Sequence, residues 1–183
     1  MAEPQSDIEL LQQFKTDATK ERAFTAILKK YQEKLYWHIR RMVVEHEDAN
    51  DVLQNMFVKA WKGLENFRED SQLYTWLYRI ATNESLTFLA QQKKRTTVSM
   101  SNDDYGLGNS VKADTHFDGN KLEWKLQLAV QQLPEKQKAV FNLRYFDEMP
   151  YAEMSSVLET SEGALKASYH HAVKKIEEYI LNN

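Results

Sequence analysis

The last third of the chain contains the stretch that decides the fold, residues 133–176, which reads LPEKQKAVFNLRYFDEMPYAEMSSVLETSEGALKASYHHAVKKI. Pro150 stands where the first turn of a helix tolerates proline, and Ser161 is a good N-cap because its hydroxyl can accept a hydrogen bond from a free backbone N–H. The pattern predicts two short helices, roughly Tyr151–Leu158 and Glu162–Lys175, joined by a short turn. Such a pair is a helix-turn-helix, whose second helix can lie in the major groove of DNA.

The second of these helices has two distinct faces. Leu165, Tyr169, Ala172 and Ile176 recur at helical spacing and predict the face that packs on the core. The start of the helix offers free N–H groups to a phosphate. The candidate DNA-contacting residues lie at this start and on the polar face opposite the core. They are Ser161, Glu162, Gly163, Lys166, Ser168, His170 and His171. Taken alone, the pattern also fits two packed helices in an all-α domain that binds no DNA.

Helical periodicity also fills the first half of the chain. Apolar residues spaced three or four apart predict a long amphipathic helix from Thr19 to Val44. A second helix is expected to begin near Asp48, a plausible N-cap, and to end close to Gly63. A third runs from Leu73 into the basic residues Lys93, Lys94 and Arg95. No strand-like alternation is present, so the predicted fold class is all-α.

The segment 96–119 differs in texture from the helices on either side. It holds three of the five glycines, its acidic residues outnumber its basic ones, and helical periodicity stops there. These features predict a flexible acidic linker. Periodicity resumes after it, and Pro134 stands where the first residue of a further helix tolerates proline. We therefore expect two small helical domains, over residues 1–95 and 120–183.

Composition limits the function classes. The chain has 183 residues, of which 42% are hydrophobic and 28% charged, and it lacks cysteine, which excludes disulfides and thiolate metal sites. The N-terminal sequence does not resemble a signal peptide and no stretch is apolar enough to span a membrane, so a soluble cytoplasmic protein without membrane insertion is expected. The net charge of -3 is unusual for a protein that grips DNA alone, because DNA affinity depends largely on neutralising phosphates.

A catalytic function has no support in the motifs. There is no glycine-rich phosphate loop, no cysteine nucleophile and no His-Glu-x-x-His pattern. The adjacent His170 and His171 point to different sides of a helix. We expect a protein that is not an enzyme and that carries no cofactor and no metal.

Two longer segments add a resemblance to a known family. The C-terminal stretch quoted above resembles the promoter-binding domain of extracytoplasmic-function (ECF) sigma factors. Residues 47–67, EDANDVLQNMFVKAWKGLENF, and residues 74–89, YTWLYRIATNESLTFL, resemble the N-terminal domain of the same family. The resemblance covers nearly the whole chain, in the family's order. It implies a protein that binds core RNA polymerase and promoter DNA, initiates transcription at specific promoters, and is held by an anti-sigma factor.

The resemblance assigns the polar face of the second helix to the polymerase clamp. The residues concerned are Asp51, Gln54 and Asn55, with Asp48 nearby. The family more often has an acid at the position of Asn55, so this chain is expected to make one weaker contact there. The alternative is that these residues form an ordinary solvated face.

The resemblance also places the -10 promoter element on the loop Phe67–Ser71 and the third helix. The candidate contact residues are Phe67, Arg68, Tyr78, Arg79, Asn83, Lys93, Lys94 and Arg95. Opening DNA costs roughly 1 to 2 kcal/mol of stacking per base-pair step, so the protein must capture the extruded bases by stacking and hydrogen bonding. For Trp61 and Trp76 we favour an ordinary core position. The three basic residues also fit a helix C-terminus, whose dipole favours positive charge.

The expected -35 reader is the second helix of the helix-turn-helix. The family usually carries arginines where this chain has Ser168 and His171, and an arginine–guanine contact is worth about 1 to 3 kcal/mol. The -35 preference should therefore differ from that of arginine-bearing relatives. Glu159 stands where a glycine commonly makes the turn, at a cost of about 1 kcal/mol if the position requires a positive φ.

The resemblance also implies a role for the linker between the two domains. In the family the linker threads the template and RNA channel of the polymerase, a path that Asp103 and Asp104 could occupy as acidic groups. A stand-alone helix-turn-helix regulator would explain the last third of the chain but not the match of its first half. A helical adaptor that binds only protein would fit the acidic charge.

Overall fold

The computed structural model describes residues 5–98 and 121–183, and every ordered element in them is an α-helix. The eight helices are α1 Asp7–Phe14, α2 Asp17–Val43, α3 His46–Leu64, α4 Leu73–Val98, α5 Lys121–Gln131, α6 Glu135–Tyr145, α7 Tyr151–Leu158 and α8 Glu162–Asn182. The all-α fold class is thereby confirmed.

Helix α1 is the element that the apolar spacing did not predict. Its start is fixed by a capping box, in which Ser6 Oγ accepts from the Glu9 backbone N–H at 3.3 Å and the Ser6 N–H donates to Glu9 Oε2 at 2.8 Å. These hydrogen bonds lower the pKa of Glu9. Leu10 and Phe14 are buried, and α1 packs on α2. The helix therefore closes one end of the N-terminal bundle.

Helices α2, α3 and α4 form the body of that bundle. The long predicted helix is confirmed as α2, with its buried residues on one stripe, namely Ala23, Ile27, Tyr31, Leu35, His38, Ile39, Met42 and Val43. The expected N-cap at Asp48 is wrong. Val44 turns the chain sharply with a φ of 72°, and α3 starts two residues earlier than Asp48, behind Glu45 as its N-cap. Asp48 lies in the first turn instead.

Helices α5 to α8 form the C-terminal bundle and contain the predicted helix-turn-helix. Pro134 and Pro150 both occupy N-cap positions. The sequence suggested that Pro134 is the first helical residue, but α6 begins one residue later, at Glu135. Ser161 is the N-cap of α8, and its hydroxyl accepts from the Ala164 N–H at 3.3 Å, as predicted. Glu159 adopts the left-handed conformation with φ 50°, so this turn position does require the positive φ that a glycine would supply.

The two bundles pack against each other. Helix α7 lies on α4, and α6 lies on α2 and α4. Leu143, Met154 and Val157 of the C-terminal bundle are buried in the same apolar cluster as Leu77 and Ala81 of α4. A second cluster lies within the C-terminal bundle, between α5, α6 and α8. The helix-turn-helix is consequently held next to α4, the helix that carries most of the candidate -10 residues.

Candidate polymerase and nucleic-acid interface

The polar face of α3 is presented outward, as the sequence predicted. Asp51, Gln54 and Asn55 are exposed, and Asp48 is half-buried. Desolvation raises the pKa of Asp48, and the neighbouring carboxylates of Glu45, Asp51 and Glu47 raise it further. The start of α3 is therefore an acidic surface that would gain from a basic partner.

An apolar groove runs beside this acidic surface, and the sequence did not reveal it. The groove encloses about 630 Å³ between α2 and α3. Phe24, Leu28 and Phe57 line it, while Asp51 and Gln54 stand at its edge. A groove between two helices depends on how their side chains meet, which helical periodicity does not specify. The arrangement can accept an apolar side chain of a partner whose polar groups meet the acidic rim.

The loop after α3 is anchored by aromatic packing. The rings of Phe67 and Trp76 are 5.1 Å apart, and Trp76 lies directly against Gly63, where an added Cβ would come within 2.8 Å of the indole. Trp61 packs edge-on against Phe24 at 5.0 Å. Both tryptophans pack against the core, as the sequence favoured. Phe67 is thus held in place while Arg68 remains exposed.

The candidate -10 residues on α4 differ in accessibility. Asn83 is exposed, and Arg79 is half-exposed with Nη1 3.8 Å from Glu159 Oε1 of the helix-turn-helix. Tyr78 is only 1% exposed, and its hydroxyl lies 3.4 Å from Asp147 Oδ1. Burial and the Asp147 carboxylate raise the pKa of Tyr78. In this arrangement Asn83 is open to a base and Tyr78 is not.

The end of α4 carries the predicted basic residues on its surface. Lys93, Lys94 and Arg95 are all exposed. Lys93 Nζ lies 2.8 Å from Glu135 Oε1, at the first residue of α6. The cationic end of α4 therefore faces acidic groups of the C-terminal bundle as well as solvent.

The predicted recognition face of α8 is largely open to solvent. Ser161, Glu162, Gly163, Lys166, His170 and His171 are exposed, whereas Ser168 is half-buried. The predicted core positions Leu165, Ala172 and Ile176 are buried. Tyr169 is half-buried, and its ring stacks on Phe141 with centroids 5.8 Å apart. Helix α8 can therefore offer one polar side to DNA while its other side stays in the core.

Other kinds of site receive no support from the described residues. Among residues 5–98 and 121–183 no group of three or more His, Cys, Asp or Glu side chains is placed to hold a metal ion. None of the helices in those ranges is long and apolar enough to cross a membrane. The linker residues Asp103 and Asp104, expected to enter the polymerase channel, lie outside the described residues.

Comparison with known families matches both bundles. The model for "Sigma-70 region 2" matches residues 27–95, and the model for "Sigma-70, region 4" matches residues 123–176. The chain belongs to the sigma-70 family. Region 2 of this sigma factor spans α2 to α4, and region 4 contains the helix-turn-helix. The acidic face of α3 and the candidate -10 residues thus lie in region 2.

Curated relatives place this sigma factor among the ECF members of the family. It is 31% identical over 165 residues to the RNA polymerase sigma-H factor of Pseudomonas aeruginosa, with 86% of each chain covered. It is 29% identical over 168 residues to the ECF RNA polymerase sigma-E factor of Escherichia coli K12, with 87% of each chain covered. The resemblance to ECF sigma factors is thereby confirmed.

Two solved structures share the fold. One is CnrH in complex with the cytosolic domain of CnrY, with a TM-score of 0.70, 20% identity, and coverage of 97% of this chain and 98% of CnrH. The other is the sigma factor RpoE of Bartonella quintana in complex with the anti-sigma factor NepR, with a TM-score of 0.69, 18% identity, and coverage of 86% and 96%. At these identities the likeness concerns the fold.

Proposed function

We propose that this sigma factor docks on core RNA polymerase through the acidic face of α3 and directs it to promoters that it reads at two places. The loop Phe67–Ser71 and the exposed side of α4 capture the -10 element, and α8 reads the -35 element. The observation that carries the proposal is the presence of region 2 and region 4 in one chain, each holding an exposed polar helix face.

Docking on the polymerase draws on both charge and apolar contact. Asp51 and Gln54 border the groove between α2 and α3, so a basic partner helix could pair with the carboxylates while it inserts an apolar side chain. Complementary charge speeds association, and burial of apolar surface slows dissociation. A charge reversal at Asp51 should therefore weaken binding to core polymerase.

Capture of the -10 element depends on Asn83. Its exposed amide can both donate and accept hydrogen bonds, as reading the edge of an extruded base requires. Arg68 and the basic end of α4 would meet the phosphates around it. The protein itself would catalyse nothing, because melting is driven by preferential binding of the open strand.

Recognition of the -35 element is expected to be weak for the isolated chain. The candidate DNA-contacting residues of α8 include one lysine and two histidines but no arginine. Affinity for DNA comes largely from phosphate neutralisation, and the chain as a whole has a net charge of -3. Polymerase docking would supply the missing affinity, so promoter specificity would belong to the complex.

An inhibitory partner is part of the proposal. The solved relative RpoE is bound to an anti-sigma factor, and we propose that an anti-sigma factor also holds this chain. The acidic face of α3 and the apolar groove beside it form a surface for which polymerase and such an inhibitor would compete. The site of action is then the cytoplasm, where RNA polymerase works.

The decisive experiment mixes the purified chain with core RNA polymerase and measures run-off transcription from genomic promoter fragments. Specific start sites that require the chain are the expected result. Tight promoter binding by the chain without polymerase, together with no start site in its presence, would instead identify a stand-alone regulator.

Two variants separate the proposed roles. Asn83→Ala should impair promoter opening, seen by permanganate footprinting, while binding to core polymerase is unchanged; Thr87→Ala, exposed one turn further along α4, is the matched control. Asp51→Arg should reduce co-purification with core polymerase, with Glu33→Arg on the exposed side of α2 as its control. Loss of polymerase binding in Asn83→Ala would mean that the two faces are wrongly assigned.

A further inference from the structure

We propose that the C-terminal bundle of the free chain is an autoinhibitory cover, which closes over part of the -10-binding face and is latched by Asp147. The inference rests on the proposed function, since it assumes that Phe67, Arg68, Tyr78 and Arg79 bind promoter DNA. It adds that Tyr78 stays buried and Arg79 stays paired with Glu159 as long as region 4 lies on region 2, whereas Arg68 and Asn83 are exposed in both arrangements.

The cover is formed by the first helix of the helix-turn-helix. A groove of about 480 Å³ has Phe67, Arg68 and Arg79 on one side, and Ser155, Ser156 and Glu159 of α7 and its turn on the other. Tyr78, the residue before Arg79, is 1% exposed, and its hydroxyl contacts Asp147 of region 4. A strand of DNA that reached this face would have to enter between the two domains, so the closed arrangement opposes its binding.

The latch is the side chain of Asp147, in the loop between α6 and α7. It is only 7% exposed, although it belongs to a surface loop. Its Oδ2 lies 2.9 Å from His38 Nδ1, and its Oδ1 lies 3.4 Å from both Arg41 Nη1 and the Tyr78 hydroxyl. One carboxylate of region 4 therefore meets three potential donors of region 2.

His38 is fully buried and has a hydrogen-bond partner at each ring nitrogen. His38 Nε2 lies 2.9 Å from Thr82 Oγ1, and that hydroxyl also lies 2.8 Å from the Tyr78 carbonyl. Asp147 accepts from the other ring nitrogen. Asp147 and Thr82 thus hold the two ring nitrogens of His38 from opposite sides, which fixes the orientation of the ring toward Asp147.

The contact between the two regions is only weakly stabilising. Burying an ion pair costs much of the attraction that it supplies, because both charges lose their water. Close by, Asn142 Nδ2 meets only the Met42 sulfur at 3.5 Å, and no hydrogen-bond partner for the buried Asn142 Oδ1 is found among the described residues. Opening would return these groups to water, which lowers the free energy needed to separate the domains.

A cross-linking assay measures closure without DNA or polymerase. The chain has no cysteine, so Asn66→Cys and Ser156→Cys place the only two thiols on opposite sides of the groove. A short bis-maleimide should link them rapidly in the free chain. Adding Asp147→Asn should slow linkage about tenfold, the effect expected from losing a charge-assisted hydrogen bond. Glu148→Gln, the same charge change at the next, exposed residue, should leave the rate unchanged.

A transcription assay then tests inhibition. The cross-linked chain should give at least about tenfold less run-off product than the unlinked double-cysteine chain, in line with the closure measured by linkage. The control is a cross-link within region 4, between Gln137→Cys and Lys175→Cys, whose native side chains lie 3.0 Å apart, and it should preserve activity.

The outcomes separate this inference from the proposed function. Full activity of the chain cross-linked across the groove would overturn autoinhibition and leave the proposed function standing. Equal linkage rates in the parent and Asp147→Asn would overturn the latch. Absence of product from the unlinked chain as well would refute the proposed function, and the inference would fall with it.

Discussion

Lys138 is a buried amine whose replacement should stabilise the protein at neutral pH. Its side chain in α6 is largely enclosed, and its Nζ donates to Gln131 Oε1 at 2.7 Å. Gln131 in turn donates to the Arg41 carbonyl at 3.1 Å. Burial lowers the pKa of Lys138 to about 8 from an ordinary 10.5; Glu135 opposes the shift and Lys93 adds to it.

The sign and size of the effect follow from proton linkage. Between pH 8 and 10.5 the unfolded chain binds more protons at Lys138 than the folded chain does, so stability rises as the pH is raised through this window. Charging the buried amine therefore costs about 3 kcal/mol at pH 7. Lys138→Met removes this cost but leaves Gln131 Oε1 without its donor, a loss of about 1 kcal/mol. The variant should gain about 2 kcal/mol at pH 7 and nothing near pH 10.

Urea unfolding followed by far-UV circular dichroism measures this difference at several pH values. Lys136→Met, an exposed position two residues away, is the matched control and should show no pH-dependent gain. A Lys138→Met variant that is less stable than the wild type at pH 7 would refute the reasoning, because it would mean that the buried ammonium is fully compensated by its surroundings.

Substitutions at four further positions test local features of the fold by the same unfolding assay. Gly63→Ala should lower the free energy of unfolding by about 1 to 3 kcal/mol, because the new Cβ would lie 2.8 Å from the Trp76 ring. Gly163→Ala, whose Cβ would have no neighbour within 4 Å, should raise it by about 0.5 to 1 kcal/mol through helix propensity. A gain in stability at both sites would contradict the packing around Gly63. Glu159→Gly should gain about 0.5 to 1 kcal/mol by relieving the left-handed conformation, and a loss would mean that the exposed ion pair with Arg79 outweighs it. Ser161→Ala should cost about 1 kcal/mol, and Ser161→Asp should restore it if the cap is the cause.

Most of the fold could be predicted because its signals are local. The apolar stripe of α2 and the N-cap of α8 each depend on residues within a few turns of one helix. Helix α1 was missed although Ser6 and Glu9 carry the spacing of a capping box, since the segment is too short for its apolar pattern to stand out. The start of α3 was misplaced because the turn at Val44 needs no glycine or proline to mark it.

The accessibility of the candidate site could be predicted only in part. The exposure of Asp51, Asn83 and Lys166 follows from the polar face of a single helix. The contact of Tyr78 with Asp147 does not, because the two residues are 69 positions apart in the chain. Contacts between two domains produce no periodic pattern in the sequence of either domain. The sequence therefore could not reveal the groove between α7 and region 2.

Charge links the acidic composition of the chain to the proposed autoinhibition. In the closed arrangement the cations expected to meet promoter phosphates meet carboxylates of region 4 instead: Lys93 faces Glu135, and Arg79 faces Glu159. These pairs are largely exposed, so each contributes no more than about 1 kcal/mol. A phosphate backbone at higher local charge density can displace them once polymerase holds the promoter nearby. The same acids that make the free chain a poor DNA binder would then make its cover easy to remove.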